Sequence, residues 1–514
     1  MMASPLQRPA HRLSYLLEGL AEVPSNQDPS IEGLALDSRK VARGGLFLAC
    51  AGTRQHGLAY AETALGQGAV AIAWEPDGLQ AESLAAVLNT TSVPLLPVPG
   101  LTAQVSHVAA RFFAHPARSM RLVGITGTNG KTSVCQLLAQ AISSEQPCAM
   151  IGTLGAGLPG NLSATGMTTP DAITVQALLA DFLSHGVQAV AMEVSSHALD
   201  QHRVAGIEFE TAVFTNLSRD HFDYHGSLEH YAQAKARLFQ MPGLGGAVVN
   251  LDDPFGRVLI DSLASGVRRV GYSLQPGGVS QHGLDHWVYA ESVDTLPDGL
   301  AIQVVAPEGK ALLRSRLLGR FNAANLLATV AVLMQRGWSL QKAVQVLAGL
   351  PTVPGRMALL GGGDRPSVVV DYAHTPDALE KALLAARAHC PGRLHVVFGC
   401  GGDRDPGKRP IMGELGARLA DVCCLTDDNP RTEPSARILA QILSGIDQPQ
   451  AVRVEADRRR AIFRTIAEAR PGDLVLVAGK GHEDYQLVGD QVLHFDDHEV
   501  VEEALDAWWE VSDA

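Results

Sequence analysis

The run Leu122-Val-Gly-Ile-Thr-Gly-Thr-Asn-Gly-Lys-Thr132 constrains this chain more than any other part of its 514 residues. A short apolar stretch, reading as a buried strand, enters a glycine-rich turn that ends in Gly130-Lys131-Thr132. Beyond it Val134, Leu137, Leu138, Ala141 and Ile142 share one helical face. Strand, glycine turn, Lys-Thr and helix make a phosphate cradle. Backbone N–H groups and the helix N-terminus hold anionic oxygens, Lys131 reaches the terminal phosphates, and the Thr132 hydroxyl can ligate Mg²⁺. The general pattern wants a glycine at position 125, where Ile125 stands, so the cradle is the variant Thr126-Gly127-Thr128-Asn129-Gly130-Lys131-Thr132. The competing reading is a turn that binds nothing, but Lys-Thr after paired glycines has few structural reasons to exist.

A chain of this length is too long for one core, and about two to four domains are expected. The 51 glycines suit many strand-to-helix turns. With 41 Lys and Arg against 54 Asp and Glu, the formal net charge is −13. An acidic chain is a poor general binder of nucleic acid or anionic membrane, so a polyanionic ligand must meet a local positive site. The seven cysteines (Cys50, Cys135, Cys148, Cys390, Cys400, Cys423 and Cys424) form no paired metal-ligand spacing and fit reduced thiols in a cytoplasm. Residues 1–20 carry no continuous apolar segment of the signal-peptide kind. The near-continuous apolar run Leu326 to Met334 is too short to span a bilayer. The expectation is a cytoplasmic protein without membrane insertion or a nucleic-acid partner.

Alternating apolar runs and helical patterns predict an α/β fold in three domains. Residues 1–98 read as a small N-terminal α/β domain. It has a glycine turn at Gly44-Gly45 into a strand, a helix from Tyr60 to Gly68 and the strand Ala69–Trp74; Pro94, Pro97 and Pro99 mark a linker. Residues 99–350 read as a central P-loop-type ATPase domain with a mostly parallel sheet, adding strands at Ala189–Val194, Thr211–Leu217 and Gly246–Leu251. Pro351 and Pro354-Gly355 mark the next boundary. Residues 351–514 read as a C-terminal Rossmann-like domain, with apolar runs at Ser367–Tyr372, Leu394–Gly399, Val422–Thr426 and Leu474–Ala478.

In open α/β sheets ligands bind beyond the carboxyl ends of the strands, and polar segments fall at those ends here. Glu193-Val-Ser-Ser-His197 follows one central strand, and a segment containing Asp220-His221 follows another. Glu193 and His221 are candidate Mg²⁺ ligands, although histidine is unusual for that ion. Lys235 lies in a clear helical pattern, where a lysine is most often a solvated charge. In the C-terminal region Arg404, Arg431, Asp428 and Glu483 end three strands. Two guanidinium groups and two carboxylates suit a zwitterion such as an amino acid; an ion-pair network joining the loops accounts for them equally well.

Together these segments resemble the Mur ligase family across essentially the whole chain. The resemblance rests on Thr126 to Thr132, Glu193-Val-Ser-Ser-His197, Asp220-His221, Gly319-Arg-Phe-Asn-Ala-Ala-Asn325, Pro354-Gly-Arg-Met357, Asp371-Tyr-Ala-His-Thr-Pro376 and Asp428-Asn-Pro-Arg431. It implies an ATP-dependent amide ligase of peptidoglycan precursor synthesis, acting as a monomer. Its implied substrates are UDP-N-acetylmuramoyl-L-alanyl-D-glutamate and meso-2,6-diaminopimelate, joined through an acyl phosphate. The implied ATP residues are Thr126, Gly127, Thr128, Asn129, Gly130, Lys131 and Thr132 with Asn322, Asn325, Arg356 and Asp371. Mg²⁺ would be held by Thr132, Glu193, His221 and Lys235, the last carrying a CO₂-derived carbamate; Lys131, Lys235, His221 and Glu193 form the implied catalytic set. Leu36 and Ser38 would contact the uridine end, and Thr168, Thr169, Ser195, Gln201 and Arg203 the muramoyl-dipeptide. Arg404, Asp428, Asn429, Pro430, Arg431, Gly479 and Glu483 would bind diaminopimelate, with Arg431 pairing the distal carboxylate that lysine lacks. The family often has Asn where Met167 stands, and Thr53-Arg-Gln55 matches no family pattern.

The nearest alternative is a lysine-adding or folylpolyglutamate-type ligase. Asp428-Asn-Pro-Arg431 argues against the first, and the N-terminal region suits a UDP-sugar better than a folate. A P-loop regulatory ATPase has no use for paired Arg and acids at strand ends, and the intact Lys131-Thr132 counts against a dead nucleotide site.

Overall fold

A continuous apolar run is stable as a strand only if both of its faces are covered, which is the situation inside a parallel sheet flanked by helices. The computed structural model describes residues 10–52, 55–77, 92–218, 220–279, 283–353 and 355–512. Thr53, Arg54 and Pro354, named above, lie outside them. The chain divides into two compact units, Met1–Val270 with His282–Asp285, and Gly271–Gln281 with His286–Ala514.

The first unit begins with four parallel strands, Gly33–Ala35, Gly45–Ala49, Ala69–Trp74 and Leu95–Pro97. Period-two alternation sends Leu46, Leu48, Ala71 and Ala73 to one face, against Leu13, Leu16 and helix Leu101–Phe112. It sends Phe47, Ala49 and Ile72 to the other, against Leu58, Ala61 and Ala64. The proline-marked segment expected as a linker therefore contains a strand. Among the described residues Leu95–Pro97 pairs only with Ala69–Trp74, and an edge position tolerates prolines because the ladder asks no donor of them.

The larger sheet of this unit places the candidate loop. Its order runs Asn161–Ser163, Gly155–Leu158, Cys148–Gly152, Ala189–Glu193, Arg121–Thr126, Thr211–Phe214, Gly246–Asn250. The last five are parallel, and the first two form an antiparallel extension. Glu193 is in register with Ile125, and Phe214 with Thr126. The loop after Thr126 thus emerges between the ends of Ala189–Glu193 and Thr211–Phe214.

The second unit opens with an antiparallel meander, His286–Leu296, Gly299–Ala306 and Gly309–Ser315, and the buried helix Arg320–Gln335. Its six-stranded sheet has the order Ala358–Gly361, Ser367–Asp371, Leu474–Ala478, Leu394–Phe398, Val422–Leu425, Arg453–Val454. All pairings but the first are parallel. The segments beginning at Gly479, Gly399 and Thr426 leave three successive strands at the same edge. None of the seven cysteines forms a disulfide. Among the described residues no helix is long and apolar enough to cross a membrane.

Candidate active site

In the first unit, helix Lys131–Ser143 starts from Gly130 at φ +86°, and Gly127 turns at φ +149°. A Cβ on Gly127 would stand 1.9 Å from Thr215 Oγ1, so only glycine fits this close approach. The neighbouring strand end fixes the loop. Thr128 N–H donates to Asn216 O (2.8 Å), Asn129 N–H to Asn216 Oδ1 (3.0 Å), and Thr215 Oγ1 to Asn129 O (2.6 Å). Lys131 Nζ donates to Gly127 O at 2.9 Å and Thr128 O at 2.8 Å, which pins the ammonium over the loop.

Glu193 is fully buried at its strand end. Its Oε2 accepts from Thr132 Oγ1 at 3.0 Å, and its Oε1 from the Thr153 N–H at 2.8 Å. Two cis ligands of an octahedral Mg²⁺, each at about 2.1 Å, lie roughly 3.0 Å apart. The Thr132–Glu193 oxygen pair, hard in character and 3.0 Å apart, fits that ion. His221 sits elsewhere in the local packing: exposed, Nε2 3.4 Å from Asp220 Oδ2, its ring edge-on to His197 at 4.9 Å between centroids. Among the described residues no group of three or more His, Cys, Asp or Glu is arranged to hold a metal.

Lys235 overturns the reading of a solvated helix charge. Ser227 caps its helix, Leu228–Ala236, and the side chain is 1% exposed. Its Nζ lies 4.2 Å from the Tyr231 ring centre and donates to Gly127 O at 2.8 Å, on the carbonyl that Lys131 also uses. Burial first, and then the Lys131 charge, hold this amine well below the usual lysine range.

The residues expected around the dipeptide form one hydrogen-bonded group. Thr168 and Thr153 hydroxyls are 3.0 Å apart, and Thr169 Oγ1 donates to Glu193 O and accepts from Ser195 N–H. Arg203 donates to Thr169 O at 2.6 Å and, through two nitrogens, to Gln201 Oε1. Met167 is exposed and offers Arg203 only its sulfur, at 3.7 Å. Ser38 is buried in the turn Ser38–Lys40 and Leu36 is exposed. Between them, hydrogen bonds from the Arg39 side chain and backbone pull the Asp37 carboxyl down to about 2.

In the second unit Asn322 and Asn325 are buried, Asn325 Nδ2 donating to Asn322 Oδ1 and Asn322 Nδ2 to Leu318 O, both at 2.8 Å. Asp371 Oδ2 accepts from Met357 N–H at 2.8 Å; burial raises its carboxyl, against the nearby Arg356. The four C-terminal charges do not pair with one another. Arg431 Nη1 donates to Gly402 O at 2.9 Å, and Arg404 is exposed. The two acids face Lys480, which is fully buried, 3.5 Å from Glu483 Oε2 and 3.8 Å from Asp428 Oδ1. Lys480 also donates to Asn429 Oδ1 (3.1 Å) and Tyr485 O (2.6 Å), and Asn429 Nδ2 donates to Glu483 Oε2 at 3.0 Å. Asp428 Oδ1 is buried without a hydrogen bond among the described residues, an acceptor available to a ligand. The backbone of Arg431 is left-handed, φ +54°, as are His221, Met357 and Asp403 in the other candidate segments. Such conformations cost about 1 kcal/mol or more and cluster at working sites.

Sequence reasoning misses Thr153, Asn216, Tyr231 and Lys480. Lys480 alone has a signal, standing between two glycines, Gly479 and Gly481, just past a strand end. The others act through contacts distant in the chain.

Comparison with known proteins gives the family. Three family models match: the Mur ligase family catalytic domain over residues 30–113, the Mur ligase middle domain over 125–333, and the Mur ligase glutamate ligase domain over 355–481. A Pseudomonas aeruginosa protein named UDP-N-acetylmuramoyl-L-alanyl-D-glutamate–2,6-diaminopimelate ligase is 50% identical over 486 residues, covering 94% of this chain and 97% of its own. A protein of the same name from Alkalilimnicola ehrlichii is 50% identical over 502 residues, covering 96% and 98%. A solved structure of a ligase with that name superposes with a TM-score of 0.72 at 37% identity, over 97% of this chain and 99% of its own. With matching domains along its length and relatives half identical to it, the chain belongs to the Mur ligase family.

Proposed function

We propose that this chain is an ATP-dependent ligase of cytoplasmic peptidoglycan precursor synthesis. It joins an amine of meso-2,6-diaminopimelate to the γ-carboxylate of UDP-N-acetylmuramoyl-L-alanyl-D-glutamate. The identity of about half its residues with ligases of that name supports the substrates. The observation that carries the chemistry is the convergence of Lys131 and buried Lys235 on the Gly127 carbonyl. Residues 1–98 serve the UDP end, 99–350 the ATP chemistry and 351–514 the amino acid, in a monomer.

A carboxylate is a poor acyl donor, so ATP is used to activate it. A γ-carboxylate oxygen attacks the terminal phosphorus, the bond to the ADP oxygen breaks, and an acyl phosphate results. The loop amides from Thr126 to Thr132 hold the phosphates and Lys131 turns from the loop carbonyls to the transferring group. Asn322, Asn325, Arg356 and Asp371 hold the rest of the nucleotide. Thr132 and Glu193 would hold Mg²⁺, with His221 joining them only by turning in from its contact with Asp220, and the ion would supply charge neutralisation at the transferring phosphoryl group. Lys235, whose burial disfavours the charged amine, would attack CO₂; a C–N bond forms, a proton leaves, and the side chain becomes an anionic carbamate able to support the cation. Thr168, Thr169, Ser195, Gln201 and Arg203 position the dipeptide, and Leu36 and Ser38 the uridine. Asp428 and Glu483 take an ammonium of diaminopimelate, while Arg431 and Arg404 take carboxylates, with Asn429, Pro430 and Gly479 shaping the pocket. The free amine then attacks the acyl carbon, loses a proton, and phosphate leaves.

Phosphate release with ATP, Mg²⁺ and the UDP-dipeptide, compared with and without diaminopimelate, tests the proposal. Release that needs the amino acid is expected; equal release without it would instead mark an ATPase.

A further inference from the structure

We propose that Arg458 and Asp497 are positioning residues that set the spacing between the two loops gripping the amino-acid substrate. The inference rests on the reading of Asp428, Asn429, Arg431, Gly479 and Glu483 as that grip. The loops leave strands Val422–Leu425 and Leu474–Ala478, which are not neighbours: Leu394–Phe398 lies between them. Next-nearest strands stand roughly 9.5 Å apart, with no ladder hydrogen bonds between them. Something other than the sheet must bring the two loop starts together.

Arg458 opens helix Arg458–Glu468, and Asp497 opens helix Asp497–Ser512. Their side chains are fully buried. Arg458 Nε and Nη2 donate to the two Asp497 oxygens, each at 2.7 Å, in a bidentate fork that fixes the guanidinium plane. The remaining donors face the loops. Nη2 donates to Ala478 O at 3.1 Å and Nη1 to Asp427 O at 3.3 Å. These carbonyls belong to the residues just before Gly479 and Asp428. One rigid cation therefore ties both loop starts across the intervening strand. The result shows above it, where Asp428 Oδ2 lies 3.3 Å from the place a Cβ on Gly479 would occupy. A buried ion pair adds little to stability, since apolar residues of like volume often hold a fold as well. They cannot donate to two carbonyls, and that is the task the pair performs.

The test compares wild type with the double variant Arg458→Met/Asp497→Leu and with Arg458→Lys, reading melting temperature and the separate KM of each substrate. The double variant keeps its melting temperature and its KM for ATP and the UDP-dipeptide, while kcat/KM for diaminopimelate falls on the order of 10²-fold. Arg458→Lys keeps the ion pair but not the two-carbonyl bridge, and shows the same selective loss even if the double variant fails to fold. A folded double variant with wild-type kcat/KM for diaminopimelate overturns the inference, as does Arg458→Lys with an equal loss for all three substrates. Wild-type protein without diaminopimelate-dependent turnover removes the reading of the site and this inference with it.

Discussion

Replacing Lys235 with methionine separates its structural contribution from its chemical one. Methionine keeps the length and apolar stem of the side chain and removes the nitrogen. The stability cost is small for a reason visible in the geometry. The hydrogen bond from Nζ to Gly127 O, 2.8 Å long, disappears, but Lys131 donates to the same carbonyl at 2.9 Å, so no buried acceptor is orphaned. One hydrogen bond is worth about 1 kcal/mol, and the amine's desolvation penalty is relieved at the same time. The melting temperature should therefore fall by no more than about 3 °C. The activity cost is large, because a preorganised charge beside the transferring phosphoryl group is lost, about 3–4 kcal/mol or 10²–10³-fold in kcat. The assay is phosphate release under saturating substrates, with thermal unfolding of the same samples. A short carboxylate added to the smaller variant Lys235→Ala should restore part of the rate by standing in for the carbamate. Retention of activity within about threefold of wild type, far short of the loss such a charge implies, would refute the catalytic role; loss of activity together with a collapsed melting temperature would reduce it to folding.

Arg431→Ala should reduce kcat/KM for diaminopimelate by roughly 30-fold or more, the cost of leaving a ligand carboxylate unpaired in a desolvated pocket, with the KM for ATP unchanged; equal damage to both would make the residue structural. Asp371→Asn should raise the melting temperature at pH 8 and weaken ATP binding. Burial raises this carboxyl in the folded protein, so the native state holds its proton more tightly than the unfolded chain. Its contribution to stability is therefore full below the unfolded pKa and is lost as pH climbs through the folded one. A wild-type and Asp371→Asn pair with the same dependence of melting temperature on pH would contradict this.

What the chain reveals by itself follows the range of the interactions. The candidate phosphate loop is contiguous, so its strand, glycine turn and helix start can be read directly. The parallel strands are equally legible, because burial on both faces leaves unbroken apolar runs such as Leu474–Ala478. Leu95–Pro97 is hidden because prolines mark turns more often than edge strands. The burial of Lys235 is invisible locally, since the carbonyl that accepts its hydrogen bond, on Gly127, is 108 positions away. The choice between an ion-pair network and a ligand site at Arg404, Arg431, Asp428 and Glu483 turns on Lys480. Its burial between the two acids leaves neither arginine needed for them.

The most direct test of the central claim is a competition experiment. The protein is given ATP, Mg²⁺, UDP-N-acetylmuramoyl-L-alanyl-D-glutamate and equal amounts of meso-diaminopimelate and L-lysine, and the nucleotide product is weighed by mass spectrometry. The account predicts a product heavier than the dipeptide substrate by one diaminopimelate residue, with lysine essentially absent. A lysine adduct, or ADP formed with no adduct at all, would contradict it.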